Sequence, residues 1–249
     1  MSNFQLYSAY YDLLYKDKDY KAESDYIIQT MQQWAPSASQ IIELGCGSGA
    51  HAQYVCEAGY HLTGIEKSET MLALAKAKNI QNFTPVLGDI SGFALPQKFD
   101  VAVSLFHVLS YLTENDSLIN CFKAVQEHLN PGGVFMFDLW YTPAVYTQKP
   151  ETRIKRLENE AVEIIRIAES KMITEGNLVQ VDFEVLIKDK PSGRTQTTQE
   201  THLMRHFSIP EIKMIAAYTG FEVVVTEAFV TKEKPSTDTW GVFFVLKKK

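Results

Sequence analysis

Three glycines at alternating positions, Gly45, Gly47 and Gly49, interrupt the run "IIELGCGSGAH" directly after a short apolar stretch. Glycine enters left-handed backbone without steric cost, so such a run marks a sharp turn. An apolar strand before the turn and helix-forming residues after it make a strand–turn–helix unit, the start of a parallel α/β sheet. Such a turn offers backbone N–H groups and a helix N-terminus to a polar ligand, with no side chains in the way. The spacing is G-x-G-x-G, one residue shorter than the dinucleotide fingerprint G-x-G-x-x-G. No Gly-Lys-Ser/Thr follows, which excludes a phosphate-cradling P-loop. An acid, Glu43, stands just before the turn.

Around this unit the chain alternates strand and helix patterns. Apolar residues at three- and four-residue steps predict a helix over 20–34, and "APSAS" breaks it. Strands are expected at 40–44, 61–66, 83–89, 99–106 and 134–140. Helices are expected from about 50 to 58, after a Ser68 cap, and from Thr113 or Asn115 up to the stop "NPGG". After Tyr141 the rhythm changes. In "LVQVDFEVLI" Val179, Val181, Phe183 and Val185 alternate with Gln180, Asp182 and Glu184, the period of a half-exposed strand. Antiparallel strands are expected at about 153–157, 161–174, 177–188 and 194–207. A helix over 208–219, capped by Ser208 with Pro210 in its first turn, and two closing strands complete the chain. The organisation expected is an N-terminal helical lid (1–39), an α/β core (40–150), an antiparallel β insertion (151–207) and a closing segment (208–249).

Composition narrows the function classes. With 249 residues and a formal charge of -6, the chain lacks the basic excess of nucleic-acid binders, so no nucleic acid is expected as a partner. The apolar run Val101 to Leu112 is short of a membrane span, and the first residues lack a signal-peptide pattern. Three cysteines, Cys46, Cys56 and Cys121, read as free thiols of a cytoplasmic protein. Cys46, His51, Cys56 and His61 match no common zinc spacing, so no metal is expected.

Two further acids fall at strand ends. Glu66 closes the second strand, where a carboxylate accepts from both hydroxyls of a ribose. Asp89 closes the third in "LGDI", suited to an adenine amino group with Ile90 beside the ring. Ligands of open α/β sheets bind at the carboxyl ends of strands, so these groups converge on one crevice. "ELGCGSG", the acid of "GIEKSETML" and the "GD" pair resemble the motifs of class I S-adenosylmethionine-dependent methyltransferases over roughly 40–140 and 208–246. The resemblance implies a Rossmann-like sheet, mostly parallel with the last strand antiparallel, carrying an inserted antiparallel β layer. It implies S-adenosyl-L-methionine as cofactor. Gly45 and Gly47 would meet its methionyl part, Glu66 its ribose, and Asp89 with Ile90 its adenine. Tyr20, Glu43, Cys46, His51, Lys67, Met71 and Leu105 complete the cofactor contacts so implied.

Beyond the core, "YDL" and "KDY" near the start, the "GAH" after the glycine loop and the "EGN…V-x-F-x-V" meander are similar to the sugar N,N-dimethyltransferases of macrolide pathways. These act on nucleotide-linked amino sugars. The resemblance implies that Tyr11 and Tyr111 border the transferring methyl, and that the oligomer is a homodimer. Tyr111 stands where those enzymes carry histidine, and Trp240 replaces an arginine near the nucleotide. Substrate contacts are expected from Tyr11, Tyr111, His202, Arg205 and Trp240. A sulfonium is an activated methyl donor, so a neutral amine needs only alignment. A hydroxyl acceptor needs a base, which would put weight on His107, His202 or His206. Transfer to another small amine or hydroxyl, or cofactor binding without turnover, are the alternative readings.

Overall fold

In the computed structural model residues 11–249 are described, with side chains from Leu13 onward. The side chain of Tyr11 therefore lies outside the described residues. The chain divides into two compact units. One joins the described part of 11–18 to Lys149–Arg205, and the other joins Asp19–Gln148 to His206–Lys249.

The larger unit is an α/β sheet. Its elements run α2 (Tyr20–Trp34, after the short α1, Tyr11–Leu14, of the other unit), β1 (Gln40–Leu44), α3 (Ala50–Glu57), β2 (His61–Glu66), α4 (Glu69–Ala77), β3 (Phe83–Leu87), β4 (Phe99–Ser104), α5 (Asn115–His128), β5 (Leu129–Trp140) and α6 (Thr142–Gln148). The smaller unit supplies β6 (Arg153–Glu158), β7 (Val162–Ile173), β8 (Leu178–Asp189) and β9 (Thr195–Arg205), after which α7 (Ile209–Tyr218), β10 (Phe221–Ala228) and β11 (Gly241–Lys248) return to the larger one. The seven strands lie in the order β10-β11-β5-β4-β1-β2-β3. Pairs among β1 to β5 are parallel, and β11 runs antiparallel to both β5 and β10.

Both faces of this sheet are covered, so its central strands are apolar on both sides. Along β5, Phe135, Phe137 and Leu139 pack into one core with Phe122 of α5, while Val134 and Met136 pack into another with Ile27 and Met31 of α2. The same alternation continues on β11, with Phe244 facing the first core and Phe243 and Val245 the second. Helix starts follow the capping residues. Asp19 accepts from Ala22 N at 2.9 Å, Ser68 accepts from Met71 N at 3.3 Å, and Ser208 forms a capping box with Glu211. No helix among the described residues is long and apolar enough to cross a membrane.

In the smaller unit β6 to β9 form an antiparallel sheet in sequence order. Val179, Val181 and Val185 are buried on one face of β8, as its period predicts, with Ile187 beyond them, while Phe183 of the same face is half-buried. Leu14 of α1 joins Val162, Ile164, Val185 and Ile187 in a separate small core.

The elements depart from the sequence reading in five places, the first being β3, which ends at Leu87 and leaves Asp89 in the turn beyond it. "NPGG" does not stand between α5 and β5 but lies inside β5, where a bulge against β4 and a left-handed Gly132 absorb it. Strand β4 ends at Ser104, because Phe106 and His107 turn left-handed. Helix α6 carries no strong sequence signal and was not expected. The strand expected to reach 207 ends at Arg205: Phe207 N donates to Trp140 O at 2.8 Å and pairs with Tyr141 in the larger unit. His206 therefore does not share a strand face with His202, and is fully buried beside Thr142, its Nδ1 2.9 Å from the hydroxyl.

Candidate active site

The strand order places β1 and β4 side by side, with β2 and β3 beyond one and β5 beyond the other. Chain connections leave in opposite directions at that point, which opens a crevice at the carboxyl ends of the two strands. Two turns line it: the glycine loop after β1 and the 105–111 turn after β4.

Gly45 and Gly47 take φ of 73° and 54°. Gly45 N and Cys46 N both donate to Ile65 O, at 2.8 and 3.0 Å, tying the loop to the end of β2. A Cβ on Gly45 would stand 2.5 Å from Val108 Cγ1, so Val108 of the second turn fills the space that this glycine leaves. Met71 reaches the loop from α4, its Cε 3.5 Å from where a Gly47 Cβ would be. Cys46 is packed against Gly64, and burial, with help from Glu43 and Glu66, pushes its thiol far up; it is an inert side chain in the wall.

The acids divide by environment. Glu66 accepts from Gly47 N at 2.9 Å with one oxygen and from Ser68 N at 2.7 Å with the other. Each carboxylate oxygen keeps a lone pair for a further donor. Asp89 is more exposed. Lys67 Nζ lies 2.6 Å from one of its oxygens, and the Ser91 N–H and hydroxyl bond the other at 2.9 and 2.7 Å. Lys67 and then Ser91 hold this carboxyl down at about 2. Lys67 and Asp89, read separately as cofactor contacts, are thus partners of each other. Ile90 packs against the core beneath them, and Leu105 is buried at the end of β4.

Glu43 is buried, and desolvation, followed by the charge of Glu66, pushes its carboxyl up to about 8. Its Oε1 lies 3.8 Å from His51 Nδ1, and its buried Oε2 has no hydrogen-bond partner among the described residues. His51 Nε2 is 2.8 Å from Glu23 Oε2, and the Tyr20 ring meets the imidazole edge-on at 5.0 Å. Helix α2 supplies both Tyr20 and Glu23, one turn apart.

In the second turn, Phe106 and His107 both adopt left-handed backbone, at φ 62° and 60°. Asp138 of β5 holds that turn: its Oδ1 accepts from His107 N at 3.2 Å, and its Oδ2 stands 2.7 Å from His107 Nδ1 in an ion-pair contact off the ideal hydrogen-bond angle. Trp140 lies 6.1 Å from the His107 ring and 5.6 Å from Trp240, so Trp240 and His107 are brought into one aromatic row. Tyr111 ends the turn, 48% exposed. Among the described residues no group of three His, Cys, Asp or Glu is placed to hold a metal ion.

The larger unit therefore gathers Tyr20, Glu43, Gly45, Gly47, His51, Glu66 and Met71 around one loop. His202 and Arg205 belong to the smaller unit. There His202 Nε2 lies 3.1 Å from Glu200, its ring edge-on to Phe183, and Arg205 ends β9 opposite Leu178. Sequence reasoning missed Glu23, Val108 and Asp138. The signal for Asp138 was present: a lone acid in "VFMFDLW", a strand otherwise buried on both faces.

Residues 41–133 match the protein family described as "Methyltransferase domain". Over 220 residues the chain is 29% identical to a Streptomyces venezuelae enzyme named dTDP-3-amino-3,4,6-trideoxy-alpha-D-glucopyranose N,N-dimethyltransferase, covering 87% of this chain and 90% of that one. A putative methyltransferase of Geobacillus is 26% identical over 260 residues, 98% of this chain and 99% of its own. The crystal structure of Streptomyces venezuelae DesVI superposes with a TM-score of 0.82 at 26% identity, covering 98% of each chain. With the strand order, the glycine loop and its acids already in place, these likenesses identify the chain as an S-adenosylmethionine-dependent methyltransferase of the class I fold.

Proposed function

We propose that this enzyme transfers a methyl group to the amine of a sugar carried on a nucleotide, dTDP or UDP. One observation carries the reading: the likeness to a dTDP-amino-sugar N,N-dimethyltransferase extends over 90% of that enzyme, well beyond the matched methyltransferase domain of 41–133. The charge of -6 is in keeping with a small-molecule acceptor.

The residues around the glycine loop fit the cofactor. Glu43 Oε2, buried without a hydrogen-bond partner among the described residues, matches the ammonium of an amino-acid-bearing nucleoside once the carboxyl gives up its proton. The free lone pairs of Glu66 suit ribose hydroxyls, and Asp89 with Ile90 suits adenine. Tyr20, Cys46, His51, Lys67, Met71 and Leu105 complete that set. The bound cofactor supplies a methyl already activated on a sulfonium. The chain then has to exclude water and hold the amine in line, and orientation of this kind lowers a barrier by roughly 7–11 kcal/mol. Tyr111 and His107, from the turn after β4, and Trp240, in the same aromatic row as His107, are assigned to the acceptor, and so, on likeness alone, are Tyr11, His202 and Arg205.

The test is an incubation of the enzyme with methyl-labelled cofactor and a panel of dTDP- and UDP-amino sugars. Label on the sugar nitrogen is the expected result. Transfer to none of them, in protein that binds the cofactor, overturns the acceptor assignment.

A further inference from the structure

An alkyl amine holds its proton at neutral pH, and an ammonium has no lone pair with which to attack carbon. If the acceptor is the amino sugar proposed above, a group in the crevice that takes this proton raises the fraction of acceptor ready to attack. We propose that His107 is this proton acceptor and that Asp138 is its positioning residue.

The placement is built rather than incidental. His107 follows β4, beside the switch point of the sheet, and its neighbour Val108 fills the space left by Gly45 in the cofactor loop. Two successive residues in left-handed backbone are costly, and such strain persists only where surrounding contacts hold it. Here Asp138 Oδ1 accepts from His107 N at 3.2 Å, and His107 O accepts from Ser110 N at 2.9 Å. The other carboxylate oxygen, 2.7 Å from Nδ1, selects the tautomer with its proton on Nδ1. That leaves the Nε2 lone pair as the acceptor, and Nε2 makes no hydrogen bond among the described residues. Burial grades in the same direction: the Asp138 side chain is 1% exposed and that of His107 19%, so the pair runs from a dry carboxylate to a partly exposed ring.

Phe106, Trp140 and the backbone of Gly241 pack around the His107 ring. Asp138 is the charged group in contact with it. Toward Asp138 stands Tyr26 of α2, bonded at 2.6 Å to Glu227 of β10; its phenol is raised by burial first, then by Glu227, and last by Asp138.

The step balances. An N–H bond of the acceptor ammonium breaks, its electron pair stays on the amine nitrogen, and the proton bonds to Nε2. The imidazolium charge is met by the Asp138 carboxylate, and the proton later leaves to solvent. A second methylation uses the dyad again.

His107→Gln and Asp138→Asn test this, with the pH profile of kcat/KM on an accepted amino sugar and cofactor affinity by calorimetry. General-base loss predicts a drop of about 10²-fold at neutral pH for His107→Gln. Activity should recover toward wild type in alkali, where the amine deprotonates unaided, with cofactor affinity unchanged. A His107→Gln enzyme with wild-type kcat/KM at every pH, or an equal loss at every pH, overturns the base. Ring ¹⁵N shifts of the free enzyme test Asp138 without turnover: the Nδ1–H tautomer should dominate and become mixed in Asp138→Asn. An unchanged tautomer overturns the positioning role, and that readout stands even if the sugar panel fails.

Discussion

Glu66 accepts from Gly47 N at 2.9 Å, so the acid at the end of β2 already binds the loop after β1. With its second oxygen on Ser68 N, the carboxylate links the glycine turn to the cap of α4. Glu66→Ala then removes both a ligand acceptor and a brace of the loop. Cofactor affinity should fall at least ~10-fold, ~1.4 kcal/mol, by calorimetry. Unchanged affinity would exclude Glu66 from the ribose.

Gly45→Ala combines a φ of 73° with a Cβ 2.5 Å from Val108. Left-handed backbone on a residue with a side chain costs ~1–3 kcal/mol before the collision is counted. The denaturation midpoint should drop accordingly. Val108→Ala in the same chain should restore part of the loss, because residues in contact do not add independently. Additive losses in the double variant would show that the contact is not the cause.

Glu43 makes cofactor binding and stability respond to pH in opposite senses. Its folded carboxyl is raised to about 8 by burial, while an unfolded chain titrates it near ~4.3. Between those values the folded state holds a proton that the unfolded state has lost, so stability falls as pH rises through the window. Glu43→Gln should remove that slope, and its advantage in melting temperature over wild type should grow up to about pH 8. The same variant should lose cofactor affinity. In the wild type, binding a cation beside Glu43 should release a proton at neutral pH, seen as buffer-dependent calorimetric heats. Heats independent of buffer would remove Glu43 from the ammonium.

Phe137 sits fully buried where β4, β5 and β11 meet, stacked on Phe244 at 5.4 Å and edge-on to Phe122 at 5.6 Å. Phe137→Ala should cost ~3–5 kcal/mol by urea denaturation. A loss under ~1 kcal/mol would mean that the core collapses around the gap.

The parts of this protein that are local were legible in its sequence. Strands 40–44 and 61–66, the caps at Ser68 and Ser208 and the alternation of 178–187 depend on neighbours a few residues away, and the structure has them there. Glu23 and Asp138 did not show their roles because their partners, His51 and His107, lie 28 and 31 residues distant and meet only through packing. The pairing of Lys67 with Asp89 was hidden for a similar reason. Each looked like a ligand contact alone, and only the approach of β2 and β3 shows them satisfying each other. His206 and Phe207 were misplaced because their polar–apolar period continues that of β9, while the pull of the larger unit's core ends the strand.

The path of the chain at Tyr141 and Phe207 has a further consequence. Tyr141 pairs with Phe207, Thr142 N donates to Phe207 O at 2.9 Å, and the Tyr146 ring meets His206 at 5.2 Å, so departure and return of the antiparallel segment are fastened at one seam. A segment that leaves and rejoins at one seam imposes no span on its host. Evolution is then free to lengthen, reshape or exchange everything between those fastenings without re-threading a single strand of the host sheet.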